Sequence, residues 1–264
     1  AERDASLGAE LFDALGDRWG QLQASFALGQ LAEIAGDYDR CGRIHRTSLR
    51  LAEDLELWPE VSYQLSWLGR TALLTGDHQA ARELHERAAR LGTEHGFRPG
   101  AMYAETGLAL VARRQGRFDD ALRHLHNVRG WHRQVAYEPG NALVLAELGF
   151  IAEQRGDPNG ALALHLDGWR IARRLGDPRA VALALEGLAG AEALAGRHDR
   201  AAGLLGTAAA TRDAVGAPLP KAERGDVDRV EARILAALGE ADFVAALARG
   251  RQLAPGEAAA LVTD

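Results

Sequence analysis

Leu28-Gly29-Gln30-Leu31-Ala32-Glu33-Ile34-Ala35-Gly36-Asp37-Tyr38-Asp39-Arg40-Cys41 has a partner forty residues on, Leu68-Gly69-Arg70-Thr71-Ala72-Leu73-Leu74-Thr75-Gly76-Asp77-His78-Gln79-Ala80-Ala81. The same spacing continues along the chain. Gly36, Gly76, Gly116, Gly156 and Gly196 keep it without a slip, and a Leu stands eight residues before each, at Leu28, Leu68, Leu108, Leu148 and Leu188. The residue after that Leu is always small: Gly29, Gly69, Ala109, Gly149, Ala189. Five residues after each glycine comes another small one: Cys41, Ala81, Ala121, Ala161, Ala201. A mostly apolar column follows at Leu51, Leu91, Trp131 and Ile171, with Thr211 the exception. A self-similar period of this length marks a stacked repeat.

Each column has a physical reading. The two small positions let a pair of helices approach closely. The glycine ends the first helix, where a left-handed cap costs least. Pro59, Pro99 and Pro139 share one register and open first helices, where proline is tolerated. Gly96, Gly176 and Gly216 end second helices. Each repeat is therefore predicted to be two helices of about 16 residues, roughly 24 Å each. One such pair cannot bury its own apolar face, so neighbours must stack. The fold class expected is all-α, a right-handed superhelical solenoid of helix-turn-helix repeats.

Five full repeats fit, at 18–57, 58–97, 98–137, 138–177 and 178–217. Residues 1–17 match the second half of a repeat, with Leu11 in the Leu51 column and Gly16 in the Gly96 column, and predict an array that continues upstream. Residues 218–264 leave the period at Pro218 and Pro220. Val227, Val230, Ile234 and Leu238 then make a helical stripe, and Phe243, Ala246 and Leu247 a shorter one. This segment is expected to be a helical cap on the last repeat.

Composition bounds the function. Of 264 residues, 47% are hydrophobic and only 6% aromatic, a balance that favours helix over sheet. The net charge of −6 argues against a general nucleic-acid surface. No apolar run approaches the roughly 20 residues that span a bilayer. No stretch has signal-peptide form. Cys41 is the single cysteine, so no internal disulfide forms, and a cytoplasmic location is expected.

The Leu-Gly pairs at 28–29 and 68–69, the Gly-Asp turns at 36–37 and 76–77 and the alanine column resemble tetratricopeptide repeats, in a form longer than the usual 34 residues. Other segments are more particular: Asp17-Arg18-Trp19-Gly20, Leu175-Gly176-Asp177, Leu204-Leu205-Gly206-Thr207-Ala208-Ala209 followed by Gly216-Ala217-Pro218-Leu219-Pro220, and Ala236-Ala237-Leu238-Gly239 to Phe243 with Gly250-Arg251 beyond. They resemble the C-terminal sensor arrays of actinobacterial transcription regulators of the large ATP-binding LuxR type and the AfsR/SARP type. That resemblance implies a DNA-binding domain and a nucleotide switch elsewhere in the parent protein, with this array as the sensing or partner-binding part. This chain itself carries no P-loop, helix-turn-helix or Gly-rich phosphate loop.

Catalytic and metal readings fare poorly. His45, His85 and His165 share one column on second helices, which points to packing or surface roles. His124 and His126, two apart, face different ways. No Cys or carboxylate completes a four-ligand metal set, and no cofactor is expected. Cys41 reads as a small buried residue, and Asp119 and Asp120 suit a helix N-terminus. Trp131 falls in a core column. Trp67 either fills a gap or touches a ligand.

The binding face is expected on the concave side, lined by first helices at positions five and two before and two and five after the Leu column. The groove residues are Gln23, Phe26, Gln30, Tyr63, Arg70, Tyr103, Arg113 and Phe150. Aromatics with Arg are favoured at binding hot spots, and Arg70 with Arg113 would suit an anionic group. The expected partner is a protein or peptide segment, including another domain of the parent chain, or a small-molecule effector, with no nucleic acid or membrane contact. Two non-enzymatic readings stand: the sensor module of a regulator, and a free-standing scaffold that binds a peptide. An enzyme is the third reading and the one least supported.

Overall fold

A computed structural model describes residues 2–263; Ala1 and Asp264, at the two ends of the expected half repeat and cap, lie outside the described residues. Among the described residues the chain is all-helical, with no strand. Helix α1 spans Glu2–Leu15. The first helices of successive pairs are α2 (Arg18–Ile34), α4 (Trp58–Leu74), α6 (Arg98–Arg114), α8 (Glu138–Gln154) and α10 (Pro178–Leu194). Their second helices are α3 (Tyr38–Asp54), α5 (His78–Glu94), α7 (Phe118–Gln134), α9 (Pro158–Leu175) and α11 (His198–Asp213). A single 3-10 turn (Lys221–Glu223) then leads into α12 (Gly225–Leu238), α13 (Glu240–Gly250) and α14 (Pro255–Thr263). Contacts divide the chain into two compact units, Ala1–His124 and Leu125–Asp264.

The turns explain the regular spacing. Most helices run 17 residues and most linkers three. At the end of α2, Gly36 takes φ +74°. Its neighbour Asp37 returns its N–H to the Ala32 carbonyl at 2.9 Å, a bond that reaches back over the last turn. The same Asp37 then caps α3, its side chain accepting the Arg40 N–H at 2.9 Å. Asp17, Asp77, Asp157 and Asp177 cap their helices likewise. A Gly-Asp pair thus closes one helix and opens the next. Pro59, Pro99 and Pro139 sit in the first turn of α4, α6 and α8.

Burial differs between the two helices of a pair. In the second unit α8 is buried without a break from Val144 to Ile151, and α10 from Ala184 to Ala193. Second helices other than α11 bury one stripe: α5 buries Ala81, His85, Ala88 and Gly92 and leaves its charged residues out, whereas α11, packed also on α13, buries Leu204 to Ala208 without a break. First helices have neighbours on several sides, since α4 packs on α5 and α6 and α10 packs on α8, α9 and α11. This inequality decides where an open face can lie.

The turn between repeats departs from glycine twice. Glu56 and Ala136 occupy the column of Gly96 and Gly176, and both take φ +54°. A side chain costs about 1–2 kcal/mol in that region. Ala136→Gly is therefore expected to stabilise the chain by about 1 kcal/mol, after the added freedom of the unfolded glycine is counted, which corresponds to about 2–4 °C in Tm. Glu56→Gly should act in the same direction. A lower Tm in both variants would show that the turns carry no backbone strain.

Candidate binding face on the first helices

The face is built on a buried prop. His45, His85 and His165 lie inside, each 2% exposed or less. Their imidazoles fill notches that glycines leave. A Cβ at Gly69 would stand 2.7 Å from His85 Nε2, and one at Gly107 2.1 Å from its Cε1. In the second unit Gly149 and Gly187 hold His165 in the same way, at 2.5 and 2.1 Å. The small residue after the Leu therefore makes room for a ring as much as for a helix backbone. The sequence carries this pairing internally: Gly29, Gly69 and Gly149 go with His45, His85 and His165, whereas Ala109 and Ala189 go with Leu125 and Leu205.

His45 differs on one side. The position that is glycine at 107 and 187 is Trp67, whose ring stacks on the His45 imidazole with centroids 5.3 Å apart and planes within 6°. His45 Nδ1 pairs with Gln64 Oε1 at 2.7 Å, and Gln64 Nε2 donates to Ser25 Oγ at 3.5 Å. This buried chain fixes Trp67 from below.

Trp67 in turn carries a set of half-buried rings. Its centroid is 6.1 Å from Tyr103. Tyr63 meets Tyr103 at 5.8 Å, Phe26 at 6.2 Å and Phe97 at 5.2 Å, all edge to face. Phe26, Tyr63 and Tyr103 thus run in file across α2, α4 and α6, with exposed Gln23 and Gln30 beside them on α2. Edge-to-face rings at this spacing attract one another beyond their burial. The sequence brought Phe26, Tyr63 and Tyr103 into one strip; the role of Trp67, as the link from the buried His45 to that strip, needed the packing.

Three expected groove residues are corrected. Phe150 is 2% exposed and its ring meets His165 at 4.9 Å, so it is core within the second unit. Arg113 is 6% exposed. Arg70 is partly open, but its Nε donates to both carboxylate oxygens of Glu33, at 2.8 and 2.9 Å, across from α2. Arg70 and Arg113 are therefore no ready pair for an external anion. For Arg113 the reason is angular. At 100° per residue, the positions two before and five after the Leu column fall on one edge of the face, and those five before and two after it on the other. The first edge is shut against neighbouring helices: Ser66, Thr106, Ala146 and Glu186 are buried, as are Glu33, Leu73, Arg113, Glu153 and Ala193. Only the second edge stays open in the first unit, at Gln23, Tyr63, Tyr103, Gln30, Arg70 and Leu110, with Phe26 alone added from the first.

In the second unit the corresponding face is occupied. Helix α12 packs on α10 and α11 and buries Val227, Val230 and Ile234. Its Arg229 Nη2 donates to Glu153 Oε2 at 2.8 Å, and Gln154 Nε2 donates to Asp226 Oδ1 at 3.3 Å. Helix α13 crosses α11 at three glycines, where Thr207 Oγ1 donates to the Gly250 carbonyl at 2.7 Å; a Cβ at Gly250 would stand 1.9 Å from the Gly203 carbonyl oxygen.

Other candidate chemistry resolves into structure. Cys41 is fully buried, 3.5 Å from Thr71 Oγ1, and burial pushes its thiol pKa up. His124 Nδ1 pairs with Glu105 at 2.5 Å. Asp120 pairs with Arg117 and Arg123, which hold its carboxyl below the usual range. Among the described residues no three His, Cys, Asp or Glu side chains gather to hold a metal, and no helix is long and apolar enough to cross a membrane.

No protein-family model matches the chain, and no curated protein matches it. Solved structures do. BtubC (BKLC) from P. vanneervenii is 19% identical, with a TM-score of 0.61 over 83% of this chain and 92% of that one. A Rap protein complexed with competence and sporulation factor is 16% identical, with a TM-score of 0.63 over 93% of this chain and 73% of that one. At these identities the likeness is of fold: the chain is a tandem helical-repeat protein similar in architecture to both.

Two predictions follow from the buried groups. Burial, and secondarily the charge of Arg70, lowers the His85 pKa from 6.5 to about 4, and among the described residues neither of its ring nitrogens has a hydrogen-bond partner. The unfolded chain takes up the proton first. The stability that depends on neutral His85 is thus complete above pH 6.5 and is lost as pH falls towards 4, by about 3 kcal/mol. Burial lowers the His45 pKa as well and adds to the trend. Melting temperature should fall over this window, and less steeply in the double variant Gly69→Ala/His85→Leu, which copies the Ala109/Leu125 pairing; an identical slope would place the proton uptake elsewhere. Separately, Arg70→Ala strands the Glu33 carboxylate, 5% exposed, and should cost about 2–3 kcal/mol in chemical denaturation. Unchanged stability would mean that solvent replaces the guanidinium.

Proposed function

We propose that this chain is a non-enzymatic binding module whose partner, a protein or peptide segment, lies on the open edge of α2, α4 and α6. The observation that carries this reading is the file of half-buried rings Phe26, Tyr63 and Tyr103, packed edge to face and propped by Trp67 on buried His45. Rings held this way present rigid apolar area whose ordering is already complete before binding, which is why Tyr and Trp dominate hot spots. Gln23 and Gln30 add donors and acceptors at the margin. The matched Rap structure holds competence and sporulation factor, so an architecture of this kind is compatible with such a role.

The wider setting we propose is the sensor region of a bacterial transcription regulator of the LuxR or AfsR/SARP type, acting in the cytoplasm on a segment of its own parent chain or of another protein. It rests on the segments around Asp17-Arg18-Trp19-Gly20 and Leu204–Pro220. A parent gene that encodes neither a DNA-binding nor a nucleotide-binding domain would remove that setting and leave the free-standing scaffold.

Panning a random linear 16-mer display library against the chain tests the site. Selected peptides are expected to bind the Tyr63→Ala/Tyr103→Ala variant at least tenfold more weakly, with its helical circular dichroism retained. Equal affinity for parent and variant would place the partner elsewhere.

A further inference from the structure

The repeat register allows one face in each unit to be compared column by column. Glu153 stands in the column of Glu33, three periods on, and Gly190 stands in the column of Arg70. On the first face Glu33 is neutralised from within the array, by Arg70 of the next first helix. On the second face Gly190 offers no side chain. A Cβ there would come 2.7 Å from Glu153 Oε2 and 3.3 Å from Val230 Cγ2. The vacated volume is taken by α12: Val230 enters it, Arg229 bonds Glu153 at 2.8 Å, and Arg233 Nη1 lies 3.7 Å from the same carboxylate. An amphipathic helix is therefore seen packed on α10 and α11, with Val227, Val230 and Ile234 buried (spacing i, i+3, i+7), Val230 against first helix α10 and a guanidinium on the column glutamate.

The face of the first unit already owns its guanidinium, and where α12 brings aliphatic anchors it exposes rings. Successive centroids from Phe26 to Tyr63 to Tyr103 are 6.2 and 5.8 Å apart. A helix rises about 6 Å over four residues, so a helix laid along the file sets one side chain on each ring. Extended chains reach a similar spacing with every second residue; the precedent of α12 is what decides between them. We propose, resting on the reading above, that the partner segment binds the first unit as an amphipathic helix, with aliphatic anchors at i, i+3 or i+4, and i+7 or i+8 on Phe26, Tyr63 and Tyr103. Because Arg70 already serves Glu33, this helix needs no counterpart of Arg229.

Two display libraries of equal length test this on the full chain. One is an Ala/Glu/Lys helical scaffold randomised at the anchor positions, the other a Pro-rich scaffold that holds an extended form. Binders are scored against the parent, Tyr63→Ala/Tyr103→Ala and the milder Tyr63→Leu, with circular dichroism as the check on folding. The expected result is ring-dependent binders from the helical library, with Leu, Ile or Val at the anchors, that lose at least tenfold in affinity when a mid-helix residue becomes proline. Ring-dependent binders from the Pro-rich library alone would overturn the helix and keep the site. Helical binders indifferent to Tyr63 and Tyr103, or no ring-dependent binder from either library, would overturn the site itself.

Discussion

The architecture depends on the short turn that ends one helix in a left-handed residue and, at α2, α3, α5, α9 and α10, starts the next on an Asp cap. With Gly36 at φ +74° and Asp37 bonded both backwards to Ala32 and forwards to Arg40, the chain reverses in a fixed length. Helices of equal length then meet at equal offsets. Equivalent columns then meet equivalent positions, so His85 meets Gly69 and Gly107 just as His165 meets Gly149 and Gly187. A single added or lost residue in a turn would rotate the following helix by about 100° and dissolve these pairings.

On that frame the molecule manages its polar groups by local pairing. Several carboxylates on first helices are buried and paired: Glu33 with Arg70 of the neighbouring first helix, Glu186 with Arg212 of the adjacent second helix, Glu192 with Arg197 of the following turn, and Glu153 with Arg229 of α12. Leaving any one of them unpaired inside would cost more than the pair contributes, which ties these arginines to structure before any ligand. The rings of the aromatic file meet one another edge to face and keep part of their area open, which is why the proposed partner is placed there.

The two units solve the same problem differently. Where the first-helix face carries Arg70 and a ring file it stays open; where it carries Gly190 it takes a helix of its own chain. Gly190 and Arg70 occupy one column, so at that position the array supplies its own guanidinium in one unit and leaves room for the C-terminal segment in the other.

The amino-acid sequence alone determined the helical repeat, because its evidence is local and repeated: a left-handed glycine, a capping Asp and a proline in the first turn each act within a few residues of themselves. It also placed Phe26, Tyr63 and Tyr103 on one face, since their offsets from the Leu column set the angle. Only the tertiary structure decided which edge of that face stays open. The burial of Arg113 and Phe150, the capture of Arg70 by Glu33 and the stacking of Trp67 on His45 depend on helices up to about forty residues away. An angle on one helix tells which way a side chain points, while the neighbour that it meets is set by packing between helices.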